Sequence, residues 1–201
     1  VAVAKAGALW PYDTNEGIYP DGATFSSGFD GGGWAYSQDA LSAAGVTSGS
    51  TVTADGISYT WPTVKSGQLD NLEIAGQTIP MPAGTSGSSL GLLGAASNAP
   101  TDGSGVSGTL TVTYTDGTTS KATVGFSDWT LGGGGSKPLP SDTTAVTTSY
   151  RNTASGGHDN VKTYVFSTKV PLDASKQVAS ITLPVTGSSG TGHLFAYGFG
   201  Q

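Results

Sequence analysis

Apolar and polar residues alternate at every second position along much of this chain, the period of a half-buried strand. The clearest case is Thr109–Phe126, which reads TLTVTYTDGTTSKATVGF. Leu110, Val112 and Tyr114 share one face, Asp116-Gly117 supplies a turn signal, and Ala122, Val124 and Phe126 return. Thr51–Tyr59 repeats the pattern around Asp55-Gly56. Further strands are predicted over Leu69–Ile74, Ser89–Ala95, Ala145–Tyr150, Lys162–Ser167, Ala179–Leu183 and Gly192–Phe199. The last is apolar on both faces, which predicts burial between two layers. Ser37–Ala44 is the one good helical window, with Ser37 as N-cap, Asp39 in the first turn and Gly45 at the C′ position. Roughly nine or ten short strands with turn signals between them predict an all-β fold. A β-sandwich of jelly-roll type fits, with one short helix near residues 37–44.

Loop composition bears on the domain count. Pro82–Ser88 and Gly132–Ser141 are rich in Gly, Ser and Pro, but similar strands flank both. They read as surface loops of a single domain spanning residues 9–201. Residues 1–8 read as a tail or leader remnant. The chain opens on Val1 rather than Met, which points to a removed leader or an excised domain.

Composition narrows the function classes. Of 201 residues, 32 are Gly and 10 are Pro, as a turn-rich β protein requires. Charged residues are only 11%, so Ser, Thr, Asn and Gly must supply the polar surface. That surface, with no Cys, suits a secreted bacterial protein. The absence of Cys also removes disulfides and thiolate chemistry. The net charge is −6 and the cations are scattered, which argues against nucleic acid as a partner. No apolar run is long enough to make a membrane-spanning helix.

Candidate chemistry is sparse. Gly87-Ser88-Ser89-Leu90-Gly91 matches the G-x-S-x-G pattern, but a loop precedes it and a strand follows, where a nucleophile elbow needs a strand and then a helix. His158 lies in a polar turn, and His193 opens the last strand, where it would rim a site or cap an edge. The two share no metal-ligand spacing. Glu16 and Glu73 are the only glutamates, and many Asp precede Gly in turns, so no acid/base pair stands out. Asp13, Asn15 and Asp30 offer oxygen ligands for a structural Ca²⁺, although the Asp13-x-Asn15 pattern is incomplete. No cofactor is required by any motif.

The aromatic residues carry the stronger signal. Trp10, Trp34, Trp61 and Trp129 all lie near turns, Gly or Pro. Rings in loops suit stacking on the apolar faces of sugars, while Asp, Asn and Arg take the hydroxyls. The alternative is that they plug the ends of the sandwich. Arg151, in Tyr150-Arg151-Asn152, is the single arginine and is expected to hold a fixed partner or clamp a ligand. The candidate ligand-binding set is Trp34, Trp61, Trp129 and Tyr150, with Asp128 and Arg151 as polar partners. The segment Phe29–Gly45, FDGGGWAYSQDALSAAG, reads more as a corner that turns the chain into its helix.

Several segments together resemble one module type. They are Asn15-Glu16-Gly17-Ile18, FDGGGWAYSQDALSAAG, DGISYTWP at Asp55–Pro62, SLGLLGAASN at Ser89–Asn98, GTLTVTYTDGT, VGFSDW at Val124–Trp129, YRNT at Tyr150–Thr153, VASITLP and HLFAYGFG. The pattern resembles accessory galactose-binding-like β-sandwiches of secreted actinobacterial glycoside hydrolases. The resemblance implies a non-catalytic, carbohydrate-binding or accessory module, with a polysaccharide or oligosaccharide and a catalytic domain in the same chain as partners. It also allows a structural calcium. The alternatives are a spacer packed on a catalytic domain, which needs an exposed apolar patch, and a small stand-alone hydrolase, which needs a pocket with converging catalytic groups.

Overall fold

The structure is a computed structural model that describes residues 9, 12–65, 67–100, 105–186 and 189–201. The expected tail at residues 1–8 and the ring of Trp10 lie outside the described residues. In chain order the first elements are β1 (Ile18–Tyr19), β2 (Trp34–Ser37), α1 (Gln38–Ala43), β3 (Thr51–Ala54), β4 (Ile57–Thr60), β5 (Leu72–Glu73) and β6 (Thr78–Pro80). The long strands β7 (Ser89–Ser97), β8 (Val106–Tyr114) and β9 (Thr119–Phe126) follow. A short helical turn at Leu131–Gly134 precedes β10 (Thr143–Thr148), β11 (Arg151–Thr153), β12 (His158–Asp159), β13 (Thr163–Pro171), β14 (Val178–Thr182) and β15 (Thr191–Gly200).

Two sheets make a β-sandwich. One has the order β10-β13-β7-β15-β5, the other β6-β14-β8-β9. The central strands β7 and β15 are buried on both faces, because the second sheet covers one side and the β3–β4 hairpin covers the other. Glycines let the hairpin lie close. A Cβ on Gly91 would collide with the Tyr59 hydroxyl, and one on Gly198 would come 2.7 Å from Ile57 Cγ2. The hairpin turn itself needs positive φ at Asp55 (54°) and Gly56 (76°), which the Asp-Gly pair tolerates. A smaller sheet has the order β1-β2-β11-β12.

The predicted strands and the helix are present, and the helix starts as its cap implies. Ser37 Oγ accepts from the N–H of Ala40 at 2.9 Å. Strict alternation fails in β15. Leu194 pairs with Gly94 and Ala196 with Leu93, so Phe195 is the extra residue of a bulge. The bulge sends the Phe195 ring into an aromatic cluster with Trp61 at 4.7 Å, Tyr36 at 5.6 Å and Phe29 at 5.9 Å between centroids. Phe29 also touches Trp129 at 4.9 Å. This cluster is the part of the core on which the candidate sites rest.

Candidate functional site

Of the six residues expected to bind ligand, burial removes three. Trp61 and Trp129 are each 2% exposed. Trp61 stacks on Phe195, and Trp129 packs against Phe29 and Tyr36. Neither ring offers a face to solvent, which corrects the expectation of open loop aromatics. Asp128 is buried as well. Its Oδ1 accepts from the N–H groups of Thr130 and Gly132 and from the Thr130 hydroxyl, pinning the glycine-rich turn. Each of the three sits next to a turn in sequence, but both rings point back into the sandwich and the Asp128 carboxylate is spent on its own turn.

The other three gather on the small sheet. Arg151 pairs with Tyr36 across β11 and β2, so its guanidinium reaches the Trp34 ring at 4.6 Å and the Trp129 ring at 5.5 Å. Its Nε and Nη2 both donate to Asp159 Oδ2, at 2.9 and 2.8 Å. The partner expected for a lone arginine is therefore present, and the guanidinium covers a face of Trp34 that a sugar would need. Tyr150 Oη donates to Asp21 Oδ2 at 2.7 Å and its ring rests beside His158 at 4.7 Å.

Two of the three suggested metal ligands have other duties. Asp30 Oδ1 accepts from the N–H groups of Gly32 and Trp34, closing the Gly31–Gly33 corner. Asn15 Nδ2 donates to Gly28 O, and its Oδ1 accepts from Asn71. Among the described residues no cluster of three or more His, Asp or Glu is arranged to hold a metal ion. Asp13 differs from both, since its Oδ1 is buried without a hydrogen-bond partner.

His193 was expected at a rim or an edge, and it is 0% exposed. Its Nδ1 lies 2.8 Å from Asn71 Oδ1 and its Nε2 2.8 Å from Ser97 Oγ. Asn71 Nδ2 in turn donates to Asp70 at 2.7 Å, and Asp70 accepts from the N–H groups of Gly17 and Ile18. Since Asn71 presents its acceptor, Nδ1 carries the proton and Nε2 accepts from Ser97. The connectivity matches a Ser-His relay. However, Phe29 lies on the imidazole at 4.0 Å and Ser97 is itself buried, so a substrate carbonyl has no path to Ser97 Oγ. Desolvation pushes the His193 pKa down to about 3. The relay cross-links β7, β15 and the Asn15–Asp70 segments. Ser89 meanwhile opens β7, without the strand-to-helix turn its motif requires.

Two cavities flank the segment that carries Trp61. Trp61 and Val64 face one side of it, and Thr60, Pro62, Thr63 and Lys65 face the other. The first cavity holds about 250 Å³. Its apolar lining is Ile18, Leu41, Val46, Trp61 and Val64, and its polar lining is Gln38, Ser42, Thr47 and Ser48. Ser48 is occupied with the backbone of Val64. Among the described residues no charged one lines this cavity. Sequence reasoning missed the polar lining because single Ser, Thr and Gln residues are common here. The usable signal was Gln38 and Ser42, four apart on the predicted helix and hence on one face.

Residues 9–188 match the model of the AziU2-like beta-sandwich domain family. The chain belongs to that family. The match covers most of the sequence and agrees with the sandwich described above. No curated protein matches the chain.

Proposed function

We propose that this AziU2-like β-sandwich is a non-catalytic, carbohydrate-binding accessory module of a secreted polysaccharide-degrading enzyme. The observation that carries the reading is the neutral cavity beside α1. It pairs an apolar lining that includes a tryptophan with amide and hydroxyl groups. That is the chemistry of a sugar ring, which is apolar on its C–H face and ringed by hydroxyls. About 250 Å³ has room for one sugar unit, and binding through so few groups is expected to be weak and reversible.

The surface supports this reading over a spacer. Among the described residues the exposed large hydrophobics are Leu69 and Val185, which make no broad apolar docking face. The proposal gives no role to a metal or cofactor.

Affinity electrophoresis against plant, fungal and bacterial polysaccharides tests the reading. Retention on at least one glycan is expected, and it should fall severalfold in a Gln38→Ala, Ser42→Ala double variant. Migration unaffected by every glycan would overturn the proposal.

A further inference from the structure

The second cavity, on the opposite side of the Trp61 segment, has a different lining. It holds about 260 Å³ and is walled by Leu9, Pro62, Leu69 and Phe195, with Asp13, Lys65, Thr60, Thr63 and Gln68 as its polar groups. Asp13 and Lys65 bear opposite charges, yet no ion pair joins them. Asp13 Oδ1 is buried and unpartnered. Leaving such an acceptor unsatisfied is destabilising, a penalty that a bound donor would remove. Leu69, which lines the cavity, is 49% exposed, one of two exposed large hydrophobics among the described residues.

We propose that this cavity binds a small zwitterion with an apolar body, an α-amino acid of the leucine or phenylalanine type. Its ammonium donates to Asp13, its carboxylate meets Lys65, and its side chain lies against Leu9, Pro62, Leu69 and Phe195. Each part of the ligand answers one part of the lining. An anion alone would leave Asp13 unsatisfied, and a cation alone would leave Lys65 without a counter-charge. The volume admits one such molecule. Burial pushes the Asp13 carboxyl up to about 6, so it is still mostly ionised at neutral pH and able to pair with an ammonium. The inference stands on a cavity separate from the proposed glycan site and does not depend on it.

Isothermal titration calorimetry of the full 201-residue chain with L-leucine, L-leucinamide and 4-methylpentanoate separates the contributions. Leucine is expected to saturate at millimolar concentrations and to bind about tenfold more tightly than either single-charge analogue. Lys65→Met should weaken leucine about tenfold and leave leucinamide unchanged. Asp13→Asn should do the reverse, weakening leucinamide and leaving 4-methylpentanoate unchanged. Lys65 is exposed, so its variant keeps the test valid if Asp13→Asn fails to fold. No saturable heat with leucine or phenylalanine overturns the proposal, as does leucine binding that is indifferent to both substitutions.

Discussion

His193 and His158 have similar immediate partners. Each directs Nδ1 at an asparagine oxygen, Asn71 for the first at 2.8 Å and Asn152 for the second at 3.3 Å. Each also has an aspartate within its cluster, Asp70 for the first and Asp21 for the second. The first group is sealed under Phe29, and the second lies on the small sheet with the His158 side chain 50% exposed. Burial alone turns the same residue types into a cross-link in one place and a solvated surface in the other. The aspartates show it most directly. Desolvation pushes Asp70 up to about 7 despite donors from Asn71, Gly17 and Ile18. Desolvation also acts on Asp21, but hydrogen bonds from Ser37, Tyr150 and Asn152 and the charge of His158 outweigh it and hold its pKa below the ordinary value.

The largest effect should come from breaking the sealed cluster. His193→Ala leaves a cavity and orphans Ser97 and Asn71, and a loss of about 3–4 kcal/mol in urea denaturation is expected. A loss under about 1 kcal/mol would show that the relay adds little.

The second test is pH. Asp70 is raised in the folded state, so its contribution is full below about pH 4 and is lost as pH rises towards 7. Asp13 and Asp142, both raised to about 6 chiefly by desolvation, act in the same direction. His193 is depressed, so its contribution is present above about 6.5 and is lost as pH falls towards 3. The lowered Asp21, Asp116 and Asp173 add stability that is lost only below about pH 4. Three raised acids outweigh one depressed histidine, so the melting temperature should peak between about pH 4 and 5. Asp70→Asn should move that peak towards neutrality. A wild-type maximum at pH 7 or above would contradict the account.

Smaller effects belong to the open side. Arg151→Ala removes the guanidinium from between Trp34 and Trp129 and breaks its link to Asp159, a loss of about 1–2 kcal/mol. It should also expose Trp34 and red-shift its fluorescence. His158→Ala is expected to change stability by less than about 0.5 kcal/mol, and a larger cost would erase the distinction between the two histidines.

Much of the fold was legible because alternation and Asp-Gly turns are local signals. The β3–β4 and β8–β9 hairpins follow from the residues that form them. The short strands β1, β2, β6, β11 and β12 were not foreseen, since two to four residues carry too little pattern. The site was less legible. Trp61 and Trp129 neighbour turns, but whether a ring points outward is set by strands distant in sequence and by the Phe195 bulge. Nor could alternation reveal that Ser97, Asn71 and His193 meet, since their link spans up to 122 positions. For Arg151 the sequence offered a fixed partner or a ligand clamp, and the structure shows the partner, Asp159.

The pairing of β7 with β15 has a consequence for how the chain reaches this state. Leu90 pairs with Phe199 and Ser89 with Gly200, so the central ladder joins segments separated by more than half the sequence. Such contacts are slow to form, because a long loop must close before they contribute. On the ribosome, β7 can pair with β13 first, but its other edge stays open until β15 has been made. Synthesis of the last strand is therefore the event that commits the domain, and truncation within residues 191–200 would leave an aggregation-prone chain rather than a slightly smaller sandwich.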